Sequence, residues 1–297
     1  MKKDLSTRVE SRLRRMVKIA LAEDHAHNDI STLAVGGIGK KSQAQIIARQ
    51  NGILCGMPVA MIVFKAIDAG IEMRGRFSDG ARVSSGDIIM EIKGSASAIL
   101  RGERTALNFL SHLSGIATLT DAFVNKLRGT STKLLDTRKT MPLLRDLEKY
   151  AVLMGGGNNH RRDLSDMYLL KENHIAAAGG LKNALRATIG HRKRVTSRRR
   201  AGAPKIEVEV TGLNEFKIAL EFDIDRIMLD NFTPAMVKRV VAYATKNFKS
   251  RKKIELEVSG GINLSNIRGY ALTGIDYISV GALTHSAKAF DLSLKIK

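Results

Sequence analysis

The 297-residue sequence predicts an α/β protein made of an α+β unit followed by a (β/α) barrel. Three observations predict it. From Lys133 onward, short apolar strands alternate with helical segments, the rhythm of βα units on a parallel sheet. Six successive strands there end in residues capable of chemistry, and a barrel assembles its site from strand ends on one face. Residues 1–100, by contrast, mix helices with short strands around tight turns and show no such alternation.

In chain order, Leu5, Val9, Leu13, Met16, Val17, Ala20 and Leu21 recur at helical spacing among charges, so the basic N-terminus reads as an amphipathic helix. A signal peptide needs an uninterrupted apolar core and a transit peptide is poor in acids, whereas Asp4, Glu10, Glu23 and Asp24 interrupt this segment. Gln43–Arg49 and Ile53–Cys55 are strand candidates, and Asn51-Gly52 between them predicts a type I′ hairpin turn. Pro58 starts a helix that Gly70 ends. Ile71–Phe77 and Ile88–Lys93 are further strands, with turns at Asp79-Gly80 and Ser85-Gly86-Asp87. A long apolar helix over Ile99–Leu127 then leads into the barrel, whose strand candidates are Lys133–Leu135, Met167–Leu170, Ile206–Val210, Arg226–Leu229, Ile254–Val258 and Tyr277–Val280. Neither a GxGxxG fingerprint nor a GxxxxGK[ST] loop is present, which argues against a dinucleotide fold and a P-loop.

Composition narrows the class. With 49 Lys+Arg against 29 Asp+Glu the formal charge is +20, so the surface attracts anions, nucleic acid among them. The basic runs His191–Arg200 and Lys246–Lys253 lie where helices finish, away from the strand ends; their simplest reading is solvated surface, with a disordered loop over Thr196–Pro204. No aromatic residues interleave these cations and aromatics make up 5% of the chain, which argues against single-stranded nucleic acid as a partner. The single Cys55 excludes an internal disulfide and a cysteine-rich zinc site and suits a reducing cytoplasm. No apolar run approaches the roughly 20 residues that span a bilayer.

The segment Leu134–Ile175, LLDTRKTMPLLRDLEKYAVLMGGGNNHRRDLSDMYLLKENHI, concentrates the chemistry. Strand ends and a glycine loop there bring Arg138, Lys139, His160, Arg161 and Lys171 into one socket for a small polyanion. Arg138 and Arg161 have competing structural partners in Asp136 and Asp163, while a lysine ending a buried strand, Lys171, is costly unless paired. Around the same mouth stand Glu209 and Asp230, carboxylates suited to Mg²⁺ held with a diphosphate and to a cationic sugar centre. Alternation puts Glu207 and Glu209 on one face of the strand IEVEV, so periodicity cannot choose between them. The late turns VSGGI and SVGAL leave backbone N–H groups free for a phosphate. Together these features point to transfer of a phosphorylated sugar onto an anionic acceptor.

At these residues the chain resembles the quinolinate phosphoribosyltransferase family. The resemblance runs through LAEDHAHNDIST, ARQNGILCGMPVA, GERTALNFLSHLSGIAT, DTRKTMPLLRDLEKYAVLMGGGNNHR, LLKENHI, EVEV, MLDN, LEVSGGI and ISVGALTHS, in order. It implies an N-terminal α/β sandwich domain over residues 1–115, joined by 284–297, and a partly open (β/α) barrel of the type II phosphoribosyltransferase kind over 116–283. It implies quinolinate, phosphoribosyl pyrophosphate and Mg²⁺ as substrates and cofactor, and a homodimer with a shared active site. Arg104 of GERTALN is then expected to reach across the dimer to the quinolinate carboxylates and complete the pocket of Thr137, Arg138, Lys139, His160, Arg161 and Lys171. By the same resemblance Lys139, Lys171, Glu209 and Asp230 are the catalytic set, with Glu209 and Asp230 at the metal. Ser259, Gly260, Gly261, Val280, Gly281 and Ala282 hold the ribose phosphate. Alternatives are a paralogous phosphoribosyltransferase with another anionic acceptor and, resting on net charge alone, a basic nucleic-acid-binding protein. The chain departs from the family pattern at Asn28-Asp29 (often GD), at Pro142-Leu143 (often PG) and at Asp163, which replaces a glycine.

Overall fold

The computed structural model describes residues 7–35, 41–196, 203–247 and 253–297. It divides into two compact units, one of residues 1–121, 150–156 and 287–297, the other of residues 122–149 and 157–286.

The first unit contains α1 (Thr7–Glu23), α2 (Ile30–Ala34), β1 (Lys41–Ala48), β2 (Gly52–Ile53), α3 (Met57–Ile67), β3 (Glu72–Gly75), β4 (Arg82–Val83), β5 (Ile88–Ser95) and most of α4 (Ala96–Lys126). Its main sheet is antiparallel, with β1 at the centre between β5 and the chain's last strand, Leu292–Ile296, and with β3 beyond β5. β1 buries Ala44, Ile46 and Ala48 and leaves Gln45 and Ile47 between them only partly covered, the pattern of a strand with one more deeply buried face. α1 packs on α3 and turns Leu13, Val17 and Leu21 inward, as its sequence period requires. Cys55 is fully buried, and burial pushes its thiol pKa up, so it behaves as a small hydrophobe.

Asn51-Gly52 makes no hairpin. Gly52 opens β2, which pairs with β4 and not with β1. The glycine is needed for space: a Cβ there would meet Thr118 Oγ1 at 2.4 Å and Phe290 Cε2 at 2.6 Å. Asn51 accepts the Ser85 N–H at 2.9 Å, so it ties down the neighbouring turn.

The second unit runs β6 (Lys133–Leu135), α5 (Arg145–Met154, which ends in the first unit), β7 (Tyr168–Leu170), α6 (Glu172–Ala177), α7 (Leu181–Thr196), β8 (Ile206–Val210), α8 (Leu213–Ala219), β9 (Arg226–Asp230), α9 (Pro234–Asn247), β10 (Glu255–Ser259), α10 (Ile267–Ala271), β11 (Tyr277–Ser279) and α11 (Ala282–His285). All six sequence-predicted strands form, in one parallel sheet of order β6-β11-β10-β9-β8-β7. The sheet is open between β6 and β7, where the isolated bridge Leu135 to Asn158 is formed. Val208, Val210, Ile227, Leu229 and Val258 are fully buried under the flanking helices.

Part of the first basic run is structural and not solvated surface. Arg192 is buried, with Nη1 on Asp225 Oδ2 at 2.8 Å and Nη2 on Asp223 Oδ2 at 2.7 Å. His191 meets the Tyr168 hydroxyl through Nδ1 at 2.8 Å. The remainder of the loop expected at Thr196–Pro204 and of the second run falls largely on residues 197–202 and 248–252, which lie outside the described residues.

Candidate active site

Because the strands are parallel, their C-terminal ends share one edge, and that edge carries the candidate residues of the second unit. β7 and β8 pair Leu170 with Val208, which sets Lys171 beside Glu209. Lys171 Nζ and Glu209 Oε2 are 2.5 Å apart, and the lysine side chain is 49% exposed, so this ion pair belongs to the rim. Lys171 also caps α6, where its N–H donates to His174 Nδ1 at 3.1 Å. At the end of β9, burial and then the Glu209 charge raise the Asp230 carboxyl pKa, while Lys171 and Lys139 pull it back.

The loops after β9 and β10 interlock. Asn231, at φ 57°, donates Nδ2 to Asp230 Oδ2 at 2.8 Å and its N–H to Ser259 O at 2.9 Å. Gly260, at φ +95°, has to be glycine, since a Cβ would meet Asn231 Oδ1 at 2.2 Å. Gly261 follows in an exposed turn. Val280 donates to Leu135 O at 3.0 Å and so brings β11 alongside the DTRK turn; Ala282 opens α11. A Cβ on Gly281 would meet Lys139 Cδ at 2.9 Å. Lys139 is fixed at both backbone atoms: its N–H donates to Thr137 Oγ1 at 3.1 Å, and its carbonyl accepts from Thr284 Oγ1 at 2.6 Å.

Arg161 is 7% exposed, and its Nη1 donates to Met167 O at 3.2 Å. Its Nε is buried with no hydrogen-bond partner, and so is the Nε of Arg138. Burial, and then the charge of Arg138, push the Arg161 guanidinium pKa down. Two guanidiniums brought together with unsatisfied inner N–H groups form a socket that an anion completes. The acids that competed for them are occupied elsewhere. Asp163 accepts from Ser165 and Arg162, and Asp136 Oδ1 takes Lys149 Nζ at 2.5 Å.

The Asp136–Lys149 pair is a buried clamp that sequence reading missed. Asp136 Oδ1 also accepts the His160 N–H at 2.8 Å, and Lys149 Nζ reaches His160 O at 3.1 Å, so both sides of the His160 backbone are held. Asn159, with its amide nitrogen turned inward, donates to Asp136 Oδ2 at 2.8 Å and Lys149 O at 3.0 Å. Burial raises the Asp136 carboxyl pKa against the pull of Lys149 and lowers that of Lys149 against the pull of Asp136. The clamp therefore fixes geometry at a desolvation cost.

His160 itself points into the sheet. Its Nδ1 accepts the Arg161 N–H at 2.7 Å, and its Nε2 lies 3.1 Å from Glu207 Oε2 and 3.5 Å from Glu257 Oε2. Arg226 Nη1 completes this group, 2.9 Å from Glu257 Oε2. Glu207 is thus separated from Glu209 by depth along one strand face. Glu207 is fully buried in the interior, and Glu209 stands at the rim. Repeated acids in IEVEV and ELEVS, on strands otherwise apolar, were the one signal in the sequence for a polar interior. Arg104 stands exposed on α4, in the first unit.

Residues 29–114 match the N-terminal domain of quinolinate phosphoribosyl transferase, and residues 116–295 match its C-terminal domain. The chain belongs to the quinolinate phosphoribosyltransferase family. It is 40% identical over 285 residues to the nicotinate-nucleotide pyrophosphorylase (carboxylating) of Mycobacterium leprae, covering 94% of this chain and 95% of that one. Identity to the probable nicotinate-nucleotide pyrophosphorylase (carboxylating) of Methanocaldococcus jannaschii is 41% over 285 residues, covering 95% and 96%. The solved nicotinate-nucleotide pyrophosphorylase of Francisella tularensis is similar in fold, with a TM-score of 0.87 at 41% identity, covering 97% of this chain and 96% of that one.

One departure from the family pattern has a visible cost. Leu143, where the family often has glycine, sits at φ 67° and is 88% exposed. Asp163, which replaces another glycine, turns its carboxylate to Ser165 and Arg162, on the outside of the loop.

Proposed function

We propose that this protein transfers the phosphoribosyl group of phosphoribosyl pyrophosphate to quinolinate with decarboxylation, giving nicotinate mononucleotide, pyrophosphate and carbon dioxide. The paired guanidiniums of Arg138 and Arg161, each with a buried unpartnered Nε, carry this reading, because they ask for an acceptor with carboxylates. Family membership and the names of the relatives support it.

Arg138, Arg161, Lys139 and Lys171 bind and orient the acceptor, and Ser259, Gly260, Gly261, Val280, Gly281 and Ala282 take the ribose phosphate. The pyridine nitrogen forms the bond to the sugar C1′ as the diphosphate leaves with the C1′–O electron pair. Glu209 and Asp230 stabilise the positive charge that the sugar gathers during this exchange. When carbon dioxide departs, its bonding electron pair stays at C2, stabilised by the adjacent positive nitrogen of the new pyridinium, and takes a proton from water. No electron sink beyond the substrate's own ring is required.

Glu209 and Asp230 fit Mg²⁺: they are hard oxygen donors, and burial, then the Glu209 charge, raise the Asp230 pKa, a cost of the charged form that a divalent cation would offset. When bound there, Mg²⁺ neutralises charge on the departing diphosphate. The shared site is also proposed, with Arg104 of the partner subunit completing the socket in a homodimer. Among the described residues no helix is long and apolar enough to cross a membrane, and the single buried Cys55 suits a cytoplasmic enzyme.

Purified protein with quinolinate, phosphoribosyl pyrophosphate and Mg²⁺ is expected to form nicotinate mononucleotide. Product with nicotinate but none with quinolinate overturns the reading in favour of a paralogous acceptor. For the shared site, Arg104→Ala subunits mixed with Lys171→Ala subunits are expected to regain activity, because one site of the mixed dimer keeps both residues.

A further inference from the structure

The turns that follow β6 and β11 lie side by side, and one buried hydroxyl joins them. The two strands pair through Ser279 and Leu135, and the Val280 N–H takes the ladder one step further, to Leu135 O at 3.0 Å. Beyond that step β6 runs into the turn of residues 136–139, and β11 runs into Gly281 and α11.

Thr284 reaches across from α11. It is 4% exposed, and its Oγ1 lies 2.6 Å from Lys139 O and 3.2 Å from Gly281 O. A hydroxyl has one proton to give. The Gly281 carbonyl already accepts the Thr284 and His285 N–H groups, at 3.1 and 3.2 Å. The Lys139 carbonyl is the nearer acceptor and belongs to a turn 145 positions away in the chain. The proton therefore goes to Lys139. A threonine that merely bonded back to its own helix would place the shorter distance at Gly281.

This contact falls where the two halves of the site meet. Arg138 and Lys139 stand on the acceptor side, and Gly281 and Ala282 on the side of the ribose phosphate. The Lys139 N–H is tied within its own turn, to Thr137 Oγ1 at 3.1 Å, whereas its carbonyl is tied to the opposite turn. Its side chain leans the same way, since a Cβ on Gly281 would meet Lys139 Cδ at 2.9 Å. A shift of the Lys139 peptide would therefore move its ammonium relative to both halves.

We propose that Thr284 is a positioning residue: by donating to the Lys139 carbonyl it sets how the acceptor half and the phosphate half stand to one another. This deepens the proposed function and rests on it for what the two halves bind. The hydrogen bond and its hold on Lys139 stand apart from that reading.

Thr284→Val keeps the buried volume and removes the donor, and Thr284→Ser restores the donor. Lys139 is exposed, so water can take up its carbonyl, and both variants are expected to unfold near the wild-type midpoint. With quinolinate and phosphoribosyl pyrophosphate both saturating, Thr284→Val should lower kcat about tenfold and Thr284→Ser should stay within about threefold of wild type. A general fault in α11 would act whether or not the Lys139 side chain is present. In a Lys139→Ala background Thr284→Val is therefore expected to add less than about a twofold loss. The full loss repeated in that background, Thr284→Ser as impaired as Thr284→Val, or Thr284→Val at the wild-type rate overturns the proposal. A reading free of substrate comes from the Lys139-Thr140 peptide, the chain's one Lys-Thr sequence. Protein labelled with ¹³C at lysine carbonyls and ¹⁵N at threonine gives a single correlated signal for it. That signal is expected to move in Thr284→Val, to move alike in Thr284→Ala, and to return in Thr284→Ser; an unmoved signal in either donor-less variant overturns the proposal. If quinolinate is not the acceptor, the wild-type protein fails the kinetic arm too, and the carbonyl signal still decides.

Discussion

Glu207 and Glu209 occupy one face of β8, two residues apart, and do different things. At the rim, Glu209 pairs with a half-exposed Lys171 and shares its field with Asp230, an arrangement that a substrate or cation can enter and rearrange. In the interior, Glu207 sits with Glu257, Arg226 and His160, sealed from solvent, in one group of opposite charges held within about 4 Å of one another. Depth along a strand therefore separates a carboxylate open to exchange at the rim from one fixed in the scaffold. The low-dielectric interior makes its contacts hard to rearrange, and the wet rim leaves them exchangeable.

The largest effect is expected in the acceptor socket, at buried Arg161 and at Lys171 on its rim. Arg161→Ala or Lys171→Ala should lower kcat/KM for quinolinate by about 10²–10³-fold while leaving the unfolding midpoint nearly unchanged, as steady-state kinetics and urea denaturation can check. A comparable loss of stability would move these residues into the scaffold. The converse is expected at the buried clamp. Lys149→Met strands Asp136 in the interior and should cost about 3–5 kcal/mol in urea unfolding. A loss below about 1 kcal/mol would mean that the loop before Arg161 is held by other contacts.

Smaller effects sharpen the contrast. Leu143→Gly relieves a left-handed backbone at an exposed position, and the protein should gain about 0.5–1 kcal/mol once the greater freedom of unfolded glycine is subtracted. Smallest is Asp230→Asn. A carboxyl whose folded pKa is raised binds its proton more tightly folded than unfolded, so stability falls as pH rises from the ordinary carboxyl range through the raised folded value. Above that window Asp230→Asn should stabilise the protein by roughly a few tenths of a kcal/mol after solvent screening, and below it not at all. Melting curves of the two proteins across pH read the difference. A replacement that destabilises at neutral pH would contradict the cost assigned to burial of Asp230 beside the Glu209 charge.

Much of this was legible in the sequence, for physical reasons. All six barrel strands announce themselves because strands buried on both faces are apolar runs that end abruptly where the chain reaches the site. The rim residues Lys171, Glu209 and Asp230 stand at those ends and could be named with their neighbours. What stayed hidden depends on register and depth, which local pattern does not carry. Alternation left Glu207 and Glu209 equivalent, and the pairing of Lys149 with Asp136 joins residues 13 positions apart. Arg192 looked like solvated charge because its partners Asp223 and Asp225 arrive from beyond α8. Asn51-Gly52 has the composition of a hairpin turn, yet the crowding of Gly52 by Thr118 and Phe290 arises only in the folded unit.

The division of β8 by depth is tested most directly by measuring kcat/KM for quinolinate in Glu207→Gln and Glu209→Gln side by side. A drop of about 100-fold or more in Glu209→Gln, with Glu207→Gln within about threefold of wild type, is the predicted result. The reverse order, or equal losses, would contradict it.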